Sequence, residues 1–286
     1  MTTPTLAVLS DIHGNAHALR AALAHVSAHG ADGVVFLGDY VTDFPGGPEV
    51  LELVRDCEKR LPCWLVRGNR EEYLLAHRQP GAPEWLEGSS QGSLLHAYRQ
   101  LTDGDLDFFA SLPICREVRP PRGEPLTACH ASPESSTEGL ILHPETAARY
   151  LESLPTRTLV CGHCHLARSV CRLDRRAHLI GSVGLPEGFP GCAQFAYLTW
   201  EDGFWIARNQ VVPYDVEAAL QEFRSSGLLE AGWLWSRAVM QMARTGINLC
   251  TALISRAAEL ARAQGVPMQR AHWEQAARQI GLSADD

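Results

Sequence analysis

The chain has 286 residues, 45% of them hydrophobic and 20% charged, and a formal net charge of −8. That length can bury a sizeable core as one large domain or a domain with an appendage, and the composition is that of a globular protein. The acidic excess argues against a non-specific grip on long nucleic acid, and no apolar run approaches the ~20 residues that cross a bilayer, so no membrane role is expected.

Met1-Thr2-Thr3-Pro4-Thr5 runs straight into an apolar stretch without a basic leader or cleavage site, so a cytoplasmic location is expected. Nine cysteines, an odd number without regular spacing, suit reduced thiols. Cys161-Gly162-His163-Cys164-His165 also fits the C-x-x-C-H pattern of haem attachment. That reading needs export and leaves the other ligand-type residues unexplained. A structural zinc site lacks a second C-x-x-C.

In chain order, Leu6-Ala7-Val8-Leu9 reads as a buried strand that meets Asp11-Ile12-His13. Gly14-Asn15 turns the chain into a helix with Leu19, Leu23 and Val26 on one face, ending near Gly30. Gly33 to Leu37 forms a second strand, ending at Gly38-Asp39. Glu49 to Val54 reads as a helix, and Pro62 to Val66 as a third strand leading to Gly68-Asn69. A long polar excursion follows, helical over about 71–112, with a helix through Leu94, Leu95 and Tyr98 and a cap near Thr102. Such an insertion is expected to overhang the site, to cover the sheet as a second helical layer, or both.

Leu126-Thr127-Ala128-Cys129 leads to His130, and Thr158-Leu159-Val160-Cys161 to Gly162-His163-Cys164-His165. Residues 194–199 and 204–209 read as a hairpin turning at Glu201-Asp202-Gly203. Beyond it the pattern is helical. Asp215 is a candidate N-cap for Val216, Leu220 and Phe223. A later stripe runs Ile247, Cys250, Leu253, Ile254, Ala257 and Leu260, closed by Gly265. These helices are expected to pack on the preceding domain, the rival being a homo-oligomer or partner surface.

Five short islands therefore follow apolar, mostly strand-like runs, and side chains just past strand carboxyl ends converge on one crevice in an α/β fold. Seven oxygen and imidazole donors are enough for two divalent ions. No Gly-x-Ser-x-Gly elbow is present, which argues against a serine nucleophile.

The islands D-x-H, G-D, G-N, H and G-H-x-H resemble those of the calcineurin-like metallophosphoesterases, over roughly residues 5–215. Ser10-Asp11-Ile12-His13-Gly14-Asn15, Gly181 to Pro186 and Val212-Pro213-Tyr214-Asp215 resemble the small bacterial phosphodiesterase-like branch. The resemblance implies an α/β fold, a four-layer α-β-β-α sandwich over residues 1–214, with a C-terminal helical extension over 215–286. It implies that Asp11, His13 and His165 hold one metal, that Asn69, His130 and His163 hold a second, and that Asp39 bridges them. Hard oxygens mixed with imidazoles suit manganese first, with iron, zinc or nickel as alternatives, better than calcium. A bridging carboxylate lets two cations sit ~3.5–4 Å apart, and water between them supplies the nucleophile.

One position departs from the family pattern. Arg70 follows Asn69 where most relatives carry a histidine thought to protonate or orient the leaving group. Arginine stays charged and cannot donate that proton, but it can clamp a phosphoryl oxygen. Asn15 is a candidate substrate contact or a turn residue. Arg67 and Arg168 are candidate phosphate contacts, and His17 a histidine to watch. Glu71 is expected either beside Arg70 or a ligand histidine, or as a first-turn acid of a helix.

The expected activity is hydrolysis of a phosphodiester or phosphomonoester. Residues 38–43 lack the Asp-Arg-Gly continuation of protein phosphatases, so a small ester is favoured over a phosphoprotein. The alternative is an inactive scaffold of the same fold that binds a protein partner through its helical tail.

Overall fold

The computed structural model describes residues 3–140 and 144–282. Side-chain alternation in the first strand decides the layering. In β1 (Thr5–Leu9), Leu6 and Val8 enter one core cluster while Ala7 and Leu9 enter another, because successive strand residues point to opposite faces. α1 (Ala16–His29) follows, capped by the Asn15 side chain, which accepts from the Ala18 N–H at 3.0 Å. β2 (Gly33–Phe36) runs parallel to β1, α2 (Gly47–Glu58) crosses back, and β3 (Cys63–Leu65) runs parallel to β2. Three helices come next: α3 (Asn69–His77), α4 (Gly92–Gln100) and α5 (Asp103–Ser111).

The second sheet comprises β4 (Cys115–Val118), β5 (Leu126–Cys129), β6 (Thr158–Cys161), β7 (Arg168–Arg172) and β8 (Arg175–Leu179), with α6 (Pro144–Ser153) between β5 and β6. The hairpin of β9 (Cys192–Glu201) and β10 (Phe204–Pro213) then returns to the first sheet. Strand order is β10-β9-β1-β2-β3 in the first sheet and β4-β5-β6-β8-β7 in the second, both mixed. The hairpin turns where the sequence indicates, but its ten-residue arms extend well past the expected six.

Leu6, Val8 and Val35 of one sheet meet Leu126, Ala128 and Val160 of the other in a shared core. Each fully buried Leu or Val there is worth about 1.5–3 kcal/mol. On the outer face of the first sheet, Ala7, Leu9 and Phe36 pack with Leu19 of α1, Val50 of α2 and Phe109 of α5. On the outer face of the second, Leu159 and Ala177 pack with Ala147 and Leu151 of α6. The result is a four-layer α-β-β-α sandwich.

α7 (Val216–Ser225), α8 (Leu228–Thr245), α9 (Leu249–Gln264) and α10 (Arg270–Ile280) share a separate apolar cluster that reaches Phe44 and Leu185 of the sandwich. Phe44 and Phe223 meet edge to face with centroids 4.8 Å apart. Asp215 caps α7 through the Ala218 N–H, as its position suggests. The expected stripe on α9 is only partly right. Cys250, Leu253, Ala257 and Ala261 are buried, whereas Ile254 is 41% and Ile247 60% exposed. The helix begins after its N-cap Asn248, so Ile247 lies outside it.

α4 and α8 cross closely. Gly92 lies so near the Ala231 carbonyl that a Cβ there would overlap it, and the Gly88 N–H donates to that same carbonyl at 2.8 Å. α8 is interrupted at Trp233, whose φ of 50° and ψ of −127° are non-helical. Among the described residues, no helix is long and apolar enough to cross a membrane.

Candidate metal centre

Backbone hydrogen bonds join the loop after β1 to that after β2, and the loop after β6 to that after β5. The Asp11 N–H donates to the Gly38 carbonyl at 3.1 Å, the His13 N–H to the Asp39 carbonyl at 2.8 Å, and the Gly162 N–H to the His130 carbonyl at 2.7 Å. Asp11, His13, Asp39, His163 and His165 all have positive φ, between 54° and 67°. A left-handed backbone is costly for such residues and persists only where the surroundings over-determine it. Five instances in one cluster mark a place where side-chain direction matters more than backbone ease.

All seven residues singled out as ligands meet there. The His13 and His165 Nε2 atoms lie 3.0 Å apart, with Asp11 Oδ1 3.4 Å from His165 Nε2 and 3.9 Å from His13 Nε2. Asn69 Oδ1 faces His130 Nε2 at 3.0 Å and His163 Nδ1 at 3.1 Å. Asp39 Oδ2 stands 3.5 Å from His130 Nε2 and 3.8 Å from His13 Nε2. Donor atoms of Asp11, His13 and His165 fall within 4.8 Å of one another, as do those of Asp11, Asp39 and His130. Asp11 thus reaches both halves of the cluster.

The fit to a cation is testable on one atom. Asp11 Oδ2 accepts from Ser10 Oγ at 2.6 Å and from the His163 N–H at 2.9 Å, but the fully buried Oδ1 has no hydrogen-bond partner. A carboxylate oxygen buried without a partner is expensive, and a metal at that spot would relieve it. The histidines also present the right atoms. His130 Nδ1 lies 2.8 Å from the Leu37 carbonyl and His165 Nδ1 3.0 Å from that of Leu185, which leaves each Nε2 facing the cluster. Burial would raise the Asp11 pKa, but His165, His130 and His13 more than offset it and hold the carboxyl far below its usual range. Burial likewise lowers His165, and Asp11 reverses that shift, leaving its pKa raised.

Glu71 resolves into a role closer to the second of the two expected. It pairs with neither Arg70 nor a histidine. Its carboxylate accepts backbone N–H bonds from Gly68 at 2.8 Å and from Asp39 and Tyr40 at 2.9 Å each. It therefore ties the start of α3, which carries Asn69, to the loop that carries Asp39. The close seating explains a motif glycine, since a Cβ on Gly68 would overlap Asp39 Oδ1.

Arg70 lies in the site. Its backbone N–H donates to Asp39 Oδ1 at 2.9 Å, and its Nη2 lies 3.0 Å from Asp43 Oδ2. Its guanidinium carbon sits 5.6 Å from the Trp235 ring centroid. A cavity of about 400 Å³ opens beside the cluster, lined by His13, Arg70, His163 and His165 on one side. Trp235 and Met242 of α8, Asn248, and Cys250 and Thr251 of α9 line it as well. Among the described residues, none from 71–112 lines it, so the expected overhang comes from the C-terminal helices instead. The insertion supports the site from behind, through Glu71 and through Ser93, whose hydroxyl reaches Asp43.

Other sequence candidates lie elsewhere or do other work. Asn15 is buried, with its amide donating to the Gly184 carbonyl and Tyr214 Oη at 3.1 Å each, so its polar atoms serve the turn and the helix cap. His17 pairs with Glu222 at 2.8 Å, and Arg67 binds the Leu112 carbonyl. Arg168 is exposed at the start of β7. Sequence reasoning missed Asp43 and Trp235. Asp43 lies four residues past Asp39 in the loop after β2, away from the strand end itself, and Trp235 lies 192 positions from it on a helix, so neither carries a strand-end signal.

A four-layer sandwich with carboxylate, amide and imidazole donors gathered at its strand ends defines a metallophosphoesterase-type hydrolase. The chain belongs to the calcineurin-like phosphoesterase family, whose sequence model matches residues 4–167. It is 26% identical over 254 residues to an uncharacterized protein of Methanocaldococcus jannaschii, covering 83% of this chain and 98% of that protein. Among solved structures it is similar to a hypothetical protein from Pyrococcus horikoshii, with TM-score 0.70 and 21% identity over 85% of this chain and 98% of that one. It is also similar to a metallophosphoesterase from Sphaerobacter thermophilus, with TM-score 0.68 and 22% identity over 86% of this chain and 100% of that one. At such identities the structural likeness speaks for the fold alone.

Proposed function

We propose that the protein hydrolyses a small phosphate ester, diester or monoester, at a centre of two divalent metal ions. Asp11, His13 and His165 would hold one ion, Asn69, His130 and His163 the other, with Asp39 between them. Manganese is the first candidate. The observation that carries this reading is the partnerless buried Oδ1 of Asp11 inside a ring of donors aimed at it. Divalent cations at such a centre neutralise phosphoryl oxygens and acidify water. The protein's own groups do the rest. Glu71 holds Asn69 and Asp39 in register through backbone N–H groups. Arg70 keeps its positive charge at any working pH and faces the cavity, where its unengaged donors would clamp a phosphoryl oxygen. Leu166, Leu185, Trp235 and Met242 offer an apolar wall to the leaving group. On this reading residues 1–214 form the catalytic unit, and 215–286 an extension that completes its cavity.

Because arginine cannot protonate a leaving group, esters with good leaving groups should turn over best. The test is turnover of bis-p-nitrophenyl phosphate and p-nitrophenyl phosphate by metal-stripped protein reloaded with Mn²⁺, with Asp39→Asn as control. Metal-dependent turnover abolished by Asp39→Asn supports the proposal, and the preferred ester separates diesterase from monoesterase. A protein that binds no metal and cleaves neither ester overturns it.

A further inference from the structure

Asp43 is 1% exposed and has both carboxylate oxygens engaged by groups from four other parts of the chain. Its Oδ2 lies 3.0 Å from His13 Nδ1, in the loop after β1, and 3.0 Å from Arg70 Nη2, on α3. Its Oδ1 accepts from Trp235 Nε1 of α8 at 2.7 Å and from Ser93 Oγ of α4 at 3.5 Å. Thr42 Oγ1 adds a 3.3 Å contact to Oδ2. The backbone is held in the left-handed region at both Thr42 (φ 83°) and Asp43 (φ 59°), neither of which is glycine. A buried acid with strained backbone and five polar contacts is held for its direction.

We propose that Asp43 is a positioning residue of the metal centre: it fixes which nitrogen of His13 faces the cluster, anchors Arg70, and fastens the C-terminal helices to both through Trp235. The inference rests on the metal-centre reading above. Lone pairs of a carboxylate and of a bare imidazole nitrogen repel at 3.0 Å, so the nitrogen facing Asp43 carries the proton. That assigns the proton of His13 to Nδ1 and leaves the Nε2 lone pair aimed at Asp11, Asp39 and His165. The same oxygen balances the charge of Arg70, which would otherwise be free to fold onto Asp39, 3.9 Å from its Nε. Trp235 brings α8 to within hydrogen-bond distance of a residue that touches a ligand, so the cavity wall and the cluster share one anchor.

The experiment is calorimetric titration of metal-stripped protein with Mn²⁺, comparing wild type, Asp43→Asn and Asp105→Asn. The last removes a largely buried carboxylate that belongs to a helix cap, away from the cluster, and controls for lost stability. Asp43→Asn should weaken Mn²⁺ binding roughly 10–100-fold, the range seen when groups behind a metal-ligating histidine are removed, while Asp105→Asn leaves it unchanged. At saturating Mn²⁺ it should also raise KM through the loosened Arg70. Equal Mn²⁺ affinity in Asp43→Asn and wild type overturns the proposal while leaving the metal centre standing. Wild type that binds no Mn²⁺ overturns both. Should Asp43→Asn fail to fold, NMR of the Zn²⁺-loaded wild type decides: a slowly exchanging His13 Nδ1–H is expected, and a rapidly exchanging or absent one overturns the assignment.

Discussion

The Glu71 carboxylate holds the Asp39 backbone N–H at 2.9 Å, across 32 positions of chain, and the Gly68 N–H at 2.8 Å with the same oxygen. The loop bearing Asp39 and the helix start bearing Asn69 are therefore one rigid unit. Burial, followed by the negative charge of Asp39, raises the Glu71 pKa to about 7, against the pull of its three backbone donors.

Glu71→Ala should therefore leave three buried N–H groups without an acceptor. At about 1–3 kcal/mol for each unsatisfied donor, partly relieved by water entering the gap, a loss of about 3 kcal/mol is expected in urea unfolding. Glu71→Gln should lie between, since its amide keeps one acceptor oxygen. A Glu71→Ala protein as stable as wild type would show that the carboxylate does not brace the two loops.

Metal binding should be visible as stability. A ligand that binds only the folded state at 100 times its Kd adds about 2.7 kcal/mol. Adding Mn²⁺ to the stripped protein should raise Tm, and chelation should reverse the rise. Asp11→Asn keeps the shape but removes the charge that reaches both halves of the cluster, so most of the Mn²⁺-induced rise should vanish. The comparison needs only thermal melts with and without Mn²⁺ for the two proteins.

The helix crossing offers a purely steric test. A methyl group at Gly92 must displace the Ala231 carbonyl of α8, and such overpacking costs about 1–3 kcal/mol or more. Gly92→Ala should lower Tm and shift Trp235, changing its fluorescence. An unchanged emission spectrum would indicate that α4 rather than α8 gives way.

A pH effect remote from the metal centre should come from Asp105. Burial would raise its pKa, but hydrogen bonds from Thr102 and the neighbouring Arg55 outweigh that and leave it lowered. A depressed folded-state pKa means a contribution fully present above the unfolded value of 3.8 and lost as pH falls below it. Thr102→Ala removes the cap and should cost about 1 kcal/mol at pH 7, with a smaller difference from wild type near pH 3. Urea unfolding of both proteins at the two pH values checks this.

That the seven ligand-type residues gather was legible in the sequence because each island follows an apolar run and strand ends converge in an α/β sandwich. The rest of the site was not, for physical reasons that differ by residue. Trp235 looks like any apolar helix residue, and only the crossing of α8 over α4 brings its indole N–H to Asp43. Ile247 and Ile254 read as core, but the capping of α9 by Asn248 leaves Ile247 outside the helix, and Ile254 lies off the buried Cys250, Leu253 and Ala257 stripe. Asn15, two residues past His13, reads equally as a substrate contact or a turn residue, and its amide is consumed by a turn, a helix cap and Tyr214. Proximity in sequence to a ligand says little about which way a side chain faces.

β1 lies in the middle of its sheet, between β2 and β9, and pairs Thr5 with Thr199. During synthesis one edge of that strand is covered early by β2, while the other waits for nearly two hundred residues to emerge. A chain stalled short of β9 exposes an apolar, unpaired strand edge, the form most prone to pair with another chain. Nascent chains of this protein should therefore depend on protection at that edge, and truncations ending before β9 should aggregate where those ending after β10 stay dispersed.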